Sequence, residues 1–170
     1  YTRAFRLPVT LDKKRVGCFL GSSLGNFNKH NALGFLRQTK KHLGDGGGLL
    51  LGVDMKKSKK ILDKAYNDSA GITARFNLNI LNHVNKLCAA KFDPSNFSHL
   101  AGYDEGLGCV QMHLVSEFEQ KIKVLNTEIE ISKGEKIHTE DSYKYSPSEI
   151  ESLALKAGFS RSVSWFDEKG

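Results

Sequence analysis

The sequence predicts an α/β fold: a parallel β-α-β unit, then an antiparallel β segment, then a return to helix and strand. Three observations predict it. A short apolar run at residues 16–20 breaks into the glycine-spaced stretch Gly21-Ser22-Ser23-Leu24-Gly25-Asn26 and then a helical pattern. A second, continuous apolar run at residues 49–53 follows that helix, as parallel strands do. Between residues 109 and 131, apolar and polar residues alternate with period two, the mark of strands with one buried face.

In order, residues 1–14 say little, except that Arg6-Leu7-Pro8-Val9 reads as extended, because a residue before proline avoids the helical region. Residues 15–20 are the first strand. Asn28 is placed to cap the first helix. Leu33, Leu36 and Leu43 recur on or near one stripe of it, with Phe35 beside them, and Gly44 stops it. Residues 49–53 then read as a strand buried on both faces, with Asp54 at its carboxyl end and a right-handed crossover. Ser58 is placed to cap a second helix with Leu62, Ala65 and Tyr66 inside. Asn67-Asp68-Ser69-Ala70-Gly71 interrupts the pattern. Periodicity resumes with Ile80, Val84 and Leu87 on one side. Asn77, Asn79, Asn82 and Asn85 are expected mostly to face solvent or to cap backbone groups.

Asp93-Pro94-Ser95 reads as a turn or helix start. Val110, Met112 and Leu114 alternate with Gln111 and His113 in a strand, and residues 121–124 and 128–131 alternate again as antiparallel strands. Ser146-Pro147-Ser148-Glu149 is a capping box with proline at the first helical position. Ile150, Leu153, Ala154 and Ala157 line that helix, and Gly158 ends it. Residues 160–166 read as a further strand, and Asp167-Glu168-Lys169 as the start of a hairpin turn. A sheet of two or three strands leaves open edges. The chain, which begins at Tyr1, is therefore expected to be part of a larger Rossmann-like domain, with the first β-α units and a last strand elsewhere.

The 170 residues, 39% hydrophobic and 26% charged, suffice for one folded domain and exclude a disordered chain. The net charge is +6, and the densest basic run is Lys56-Lys57-Ser58-Lys59-Lys60. No aromatics interleave with these lysines to stack bases, so the run reads as a solvated helix entrance and a nucleic-acid partner is not expected. No apolar run is long enough to cross a bilayer, and no basic-then-apolar leader is present. Cys18, Cys88 and Cys109 form neither a CxxC pair nor a disulfide framework, and a reducing cytoplasm fits them. Cys18 and Cys109 sit in apolar strands, where a thiol acts as a small hydrophobe. The six histidines lack the short spacings of a zinc site.

A glycine-spaced turn between strand and helix gathers backbone N–H groups at the carboxyl end of the strand, where open α/β sheets bind ligands. Without a Cβ, a ligand can approach Gly21 closely. Asn26 offers a donor and an acceptor there. The same local pattern also fits an ordinary βα loop whose asparagine turns the chain, and the residues by themselves leave both readings open.

Several separated motifs go further. Phe19-Leu20-Gly21-Ser22-Ser23-Leu24-Gly25-Asn26-Phe27, Leu50-Leu51-Gly52-Val53-Asp54, Ala65-Tyr66-Asn67-Asp68, Phe76-Asn77-Leu78-Asn79, Met112-His113-Leu114-Val115-Ser116 and Ile137-His138-Thr139-Glu140-Asp141-Ser142-Tyr143-Lys144-Tyr145 occur in this order. Together they resemble the histidine-specific, S-adenosylmethionine-dependent methyltransferase family, which includes the L-histidine Nα-methyltransferase of ergothioneine biosynthesis. The resemblance runs from about residue 15 to the end. It implies a partial class I (Rossmann-like) methyltransferase sheet with an inserted α+β substrate-binding domain. Residues 1–60 would belong to the methyltransferase core, with strands four and five at 15–20 and 49–53. Residues 61–145 would be the substrate-binding insert, and 146–170 the return to the core with a helix and strand six. The family's glycine-rich turn and ribose-binding acidic residue would lie upstream of Tyr1, so this stretch alone is not expected to bind the cofactor well.

The resemblance also implies roles. The residue matching Asn26 hydrogen-bonds the substrate amino group beside the cofactor, and the residue matching Tyr66 binds the substrate carboxylate. Gly21 and Ser22 would meet the cofactor. The residues matching Glu140 and Ser142 read the two imidazole nitrogens, one by accepting and the other by donating. Two apart on an extended segment, they would share a face. Phe76 and Met112 would wall the pocket. Read from the residues alone, Tyr66 is a core tyrosine, Phe76 and Met112 are packing residues, and Thr139-Glu140-Asp141-Ser142 is a polar loop. The expected reaction is N-methylation of the α-amino group of histidine, a small-molecule substrate, with no membrane partner. The alternatives are another amino acid or aromatic amine, and a non-catalytic subunit completed by a partner chain. Glu140 with Ser142 favours imidazole over indole, which offers one donor and no ring acceptor.

Overall fold

A computed structural model describes residues 13–160 and 163–167. The stretch Arg6-Leu7-Pro8-Val9 and most of the expected terminal turn lie outside them. The chain divides into two compact units, residues 1–56 with 142–170, and residues 57–141.

The first unit opens with strand β1 (Val16–Phe19), a 3-10 turn (Ser23–Asn26), helix α1 (Lys29–Leu43) and strand β2 (Gly48–Leu51). β1 and β2 pair in parallel, from Val16 opposite Gly48 to Phe19 opposite Leu51. α1 starts where the sequence places its cap: the amide of Asn31 donates to Asn28 Oδ1 at 2.9 Å. It stops at Gly44, whose φ of 73° favours a residue without Cβ. Its buried face is Ala32, Leu36 and Leu43. Phe35 lies between Phe19 and Phe27, with ring centroids at 4.6 and 5.5 Å.

The strands are not buried on both faces. Leu43 of α1 and Leu49 of β2 both lie over Gly17. The alternate side chains point the other way, and Val16 is 72% exposed, Leu50 42% and Cys18 exposed. The Cys18 thiol is therefore not a core hydrophobe. The pleat turns successive side chains to opposite faces, and among the described residues only one face meets a helix.

Helix α4 (Pro147–Lys156) closes this unit. Its capping box is complete, with Glu149 N donating to Ser146 Oγ at 3.2 Å and Ser146 N donating to Glu149 Oε2 at 2.8 Å. Ala157 joins Leu24, Ala32 and Leu36 in one core, with Ile150 and Leu153 packed against it. Residues 163–167 form no strand, and Val163, Trp165 and Phe166 are exposed. A strand needs a neighbour for its backbone groups, and no described strand pairs with this stretch.

The second unit holds α2 (Lys59–Tyr66), α3 (Ile72–Cys88), and strands β3 (Phe97–Asp104), β4 (Cys109–Ser116), β5 (Gln120–Val124) and β6 (Thr127–Ile131). Strand β7 (Lys136–Tyr143) joins it, although its last two residues fall in the first unit. The sheet order is β3-β4-β7, and β5 and β6 make a separate antiparallel hairpin. β4 alternates as expected, with Val110, Met112 and Leu114 buried. The sequence pattern did not reveal β3, because His99, Ala101 and Gly102 are weak strand formers or small. Its pairing with β4, Phe97 opposite Ser116 through Asp104 opposite Cys109, holds it in place.

Two helix faces differ from the expected ones. Ala65 is exposed, so α2 buries Leu62. Leu87 is 83% exposed, and α3 instead buries Asn77 and Leu81. The ridge is turned toward Asn77 because the sheet supplies partners for its amide. The boundary between α2 and α3 is set by Asp68, whose two carboxylate oxygens accept from the amides of Ile72 and Thr73, each at 2.8 Å. Those backbone donors, Thr73 first, pull the Asp68 carboxyl down to about 2.

Candidate active site

In the first unit the glycine-spaced loop is a strained turn. Gly21 has φ 81° and Ser22 φ 61°, the left-handed region that non-glycine residues seldom enter. Ser22 is held there through its side chain: the amide of Asp54 donates to Ser22 Oγ at 2.7 Å. Nothing stands within 4 Å of where a Cβ on Gly21 would project, so open space flanks the backbone at this point. Gly25 is the opposite case. It is buried, and a Cβ there would stand 2.7 Å from the carbonyl oxygen of Tyr143 and 3.6 Å from Ser142 Oγ. The loop therefore seats directly on the backbone that follows Ser142, and the next residue is the exposed Asn26.

Asp54 also anchors that backbone. Tyr145 N donates to Asp54 O at 3.2 Å, and Lys56 N donates to Tyr145 O at 3.0 Å. Between them Met55 and Tyr145 form a parallel bridge. At the centre is Lys144, whose side chain is 1% exposed and whose Nζ lies 2.8 Å from Asp54 Oδ2. The same Nζ donates to Ser142 Oγ at 2.9 Å. Ser22, Asp54, Lys144 and Ser142 thus form one connected polar network. Sequence reasoning placed Asp54 only at a strand end and passed over Lys144. The available signal was a lysine between two tyrosines, in a stretch that follows an alternating strand. Tyr145 is 4% exposed and its hydroxyl has no partner among the described residues. Burial first, then the nearby Glu149 carboxylate, pushes it up to about 12.

In the second unit Tyr66 ends α2 and packs against a core of Leu62, Ala101, Tyr103, Val110 and Met112. Met112 is 3% exposed, whereas Phe76 on α3 is 63% exposed. Glu140 lies on β7, beside Thr139, whose hydroxyl donates to Met112 O at 3.0 Å. Glu140 and Ser142 lie two apart on this strand, where alternate residues share a face.

The end of α2 is clamped to β3. Asn67 Nδ2 donates to Ala101 O at 3.0 Å, and Asp63 Oδ1 accepts from Tyr103 N at 2.8 Å. The side-chain hydrogen bond from Lys59, then that of Tyr103, holds the Asp63 carboxyl below its ordinary range. A third tie runs through Asn77, which is 1% exposed. Its Nδ2 donates to His113 O at 3.1 Å, an atom that can only accept, and lies 2.9 Å from His99 Nδ1. With the amide nitrogen so placed, His99 Nδ1 accepts, and Nε2–H donates to Tyr66 O at 2.9 Å. Asn77 and His99 went unnoticed as positioning groups, since an asparagine inside a helix ordinarily faces water. Nearby on β4 and β7, the rings of His113 and His138 meet edge to face at 5.2 Å, and His138 Nε2 lies 2.8 Å from Asp141 Oδ1. Burial, then the neighbouring His138 and Lys136, lowers His113. Burial also raises the thiol of Cys109 to about 11, which keeps it an unreactive core group.

Among the described residues no group of histidine, cysteine, aspartate or glutamate side chains is placed to hold a metal ion. No helix of the described residues is long and apolar enough to cross a membrane.

A glycine turn at the carboxyl end of a strand is where open α/β sheets bind ligands, and here such a turn is backed by a buried polar network. Comparison with known proteins identifies the family. A family model for histidine-specific, SAM-dependent methyltransferases matches residues 1–170, and the chain belongs to this family. It is 35% identical over 159 residues to the histidine N-alpha-methyltransferase of Mycolicibacterium smegmatis, covering 92% of this chain and 50% of that protein. Ergothioneine biosynthesis protein 1 of Schizosaccharomyces pombe is 30% identical, over 83% of this chain and 18% of its own length. An L-tryptophan methyltransferase of Psilocybe serbica is also 30% identical, over 89% of this chain and 43% of its own length. The chain spans about half the length of the bacterial relative, and less of the fungal ones.

Proposed function

We propose that this chain forms the substrate-reading part of an S-adenosylmethionine-dependent N-methyltransferase acting on the α-amino group of histidine, in the cytoplasm. The observation that carries this reading is the seat of the Asn26 loop: Gly25 packs on the backbone at Tyr143, with Ser142 Oγ 3.6 Å from its Cβ position. An amide and a hydroxyl, suited to an amine and to a ring nitrogen respectively, thus come from touching segments of one unit. The two units correspond in this reading to a methyltransferase core of class I type and an inserted substrate-binding α+β domain.

The residues present fit the cofactor in chemistry. Gly21 leaves open space beside the strand end, and Ser22 holds the turn that exposes it. S-adenosylmethionine supplies an electrophilic methyl on sulfur. The residues of the chain need form no covalent intermediate, only hold a neutral amine close and in line. Asn26 Oδ1 accepts from the amine N–H and so directs the nitrogen lone pair. The Tyr66 phenol donates to the substrate carboxylate. Glu140 accepts from one imidazole nitrogen and Ser142 donates to the other, with Phe76 and Met112 as apolar walls. With the cofactor bound, Asn26 would hold the amine that receives the methyl, and the methylated product would release its extra proton to solvent.

The test is methyl transfer by the full-length protein, followed by mass spectrometry with histidine and tryptophan as competing substrates. Histidine should be methylated on Nα. Asn26→Ala and Glu140→Ala should each lower kcat/KM by about a hundredfold or more, of the order lost when a positioning contact goes, with unchanged melting. Full turnover in either variant overturns the assignment. The similarity to a tryptophan methyltransferase favours one rival, an indole substrate, and preferred methylation of tryptophan would establish it.

A further inference from the structure

We infer that Lys144 is a positioning residue that commits the Ser142 hydroxyl to donate toward the substrate ring, with Asp54 holding the ammonium in place. The inference rests on the reading of Ser142 as an imidazole contact and adds what gives that contact its direction. Lys144 is among the most buried charged groups of the described residues, at 3% exposure. A buried ammonium needs a partner to offset its lost hydration, and Asp54 Oδ2 provides one at 2.8 Å. The backbone of Asp54 is tied on both sides, its amide donating to Ser22 Oγ at 2.7 Å and its carbonyl accepting from Tyr145 N at 3.2 Å. Nζ also donates to Ser142 Oγ at 2.9 Å.

Direction follows from the donor inventory. An ammonium has three N–H donors and no acceptor, while a hydroxyl both donates and accepts. Toward Lys144 the serine can therefore only accept. One lone pair of Oγ is committed, the O–H vector turns away from Nζ, and the adjacent positive charge sharpens the hydroxyl as a donor. A hydroxyl in that state pairs with an unprotonated ring nitrogen. It gains nothing from a ring C–H or a sulfur of the same shape. Lys144 is thus a specificity device that acts through Ser142, not a group that touches the substrate.

The experiment uses the full-length protein saturated with S-adenosylhomocysteine and measures by calorimetry the Kd of histidine and of β-(2-thienyl)alanine, which has the ring but no ring nitrogen. If the parent neither binds nor methylates histidine, the histidine reading itself fails. If the parent prefers histidine, Lys144→Met should reduce that preference at least tenfold and leave thienylalanine affinity within twofold. Ser142→Ala should do the same, and Lys144→Met added to Ser142→Ala should change the preference no further, since the two residues act as one unit. A preference that survives Lys144→Met, an equal loss for both ligands, or a further drop in the double variant overturns the inference and leaves the histidine reading standing. If Lys144→Met does not fold, Asp54→Asn is read by the same ratio: a loss of preference supports the inference, and the parent preference overturns it.

Discussion

A Cβ built on Gly25 would stand 2.7 Å from the carbonyl oxygen of Tyr143. No real Cβ sits so close to a backbone oxygen, so either the loop or the strand end must give way if one is added. This single contact sets where Asn26 begins.

Gly25→Ala is therefore expected to destabilise the protein by about 1–3 kcal/mol, the usual cost of forcing a methyl into a filled site. The displaced loop carries Asn26 with it, so under the proposed function the KM for histidine should rise as well. Thermal melts and steady-state kinetics on the full-length protein check both. An unchanged melt would show that the loop accommodates the methyl without cost.

Asn77 should matter more than its position inside a helix suggests. Asn77→Leu removes the amide donor shared by the His113 carbonyl and His99 Nδ1, at a cost of about 1–3 kcal/mol. It also frees the His99 ring that holds the backbone of Tyr66. Asn79→Leu, on the exposed side, should stay within about 0.5 kcal/mol. Urea unfolding of the two variants separates these cases. If they lose equal stability, the clamp contributes nothing.

Tyr145→Phe should be neutral or stabilising by up to about 1 kcal/mol, because it removes a buried hydroxyl with no partner among the described residues. The parent should also lose stability as pH rises from 10 toward 12, since the unfolded tyrosine ionises first while the folded one is pushed up to about 12. The phenylalanine variant should lack that part of the alkaline loss. A destabilised Tyr145→Phe would mean that the hydroxyl has a partner in the complete protein.

His113 gives an acid-side signature. Its folded value is lowered, chiefly by burial, so the unfolded chain takes up a proton first as pH falls. Stability should decline below the ordinary histidine value of about 6.5. His113→Gln should flatten the melting temperature between about pH 6.5 and 5 relative to the parent. The same slope in both proteins would assign the effect elsewhere.

Much of the local structure was legible because it is written in short-range chemistry. The Asn28 cap, the Ser146 capping box, the Gly44 stop and the alternation of β4 each depend on residues within a turn or a strand of one another. What was not legible depended on partners far away in the chain. β3 is a strand because β4 lies beside it, not because His99, Ala101 and Gly102 prefer one. Residues 163–167 have no partner strand among the described residues and form no strand. Leu50 looked buried by its type, yet among the described residues only one face of its strand meets a helix.

The sequence by itself determined the β-α-β order, both ends of α1, the capped start of α4 and the motifs that place the chain in its family, since periodicity, capping and turn chemistry act within a few residues; Ser58 precedes α2 without a side-chain cap bond. Only the tertiary structure decided that Lys144 is buried between Asp54 and Ser142, that Gly25 rests on Tyr143, and that Asn77 faces a sheet. The physical reason is that the energy of a buried polar group is set by whichever atom ends up opposite it. Asp54 and Lys144 are brought together by the pairing of their two segments, and no local pattern in either segment names the other.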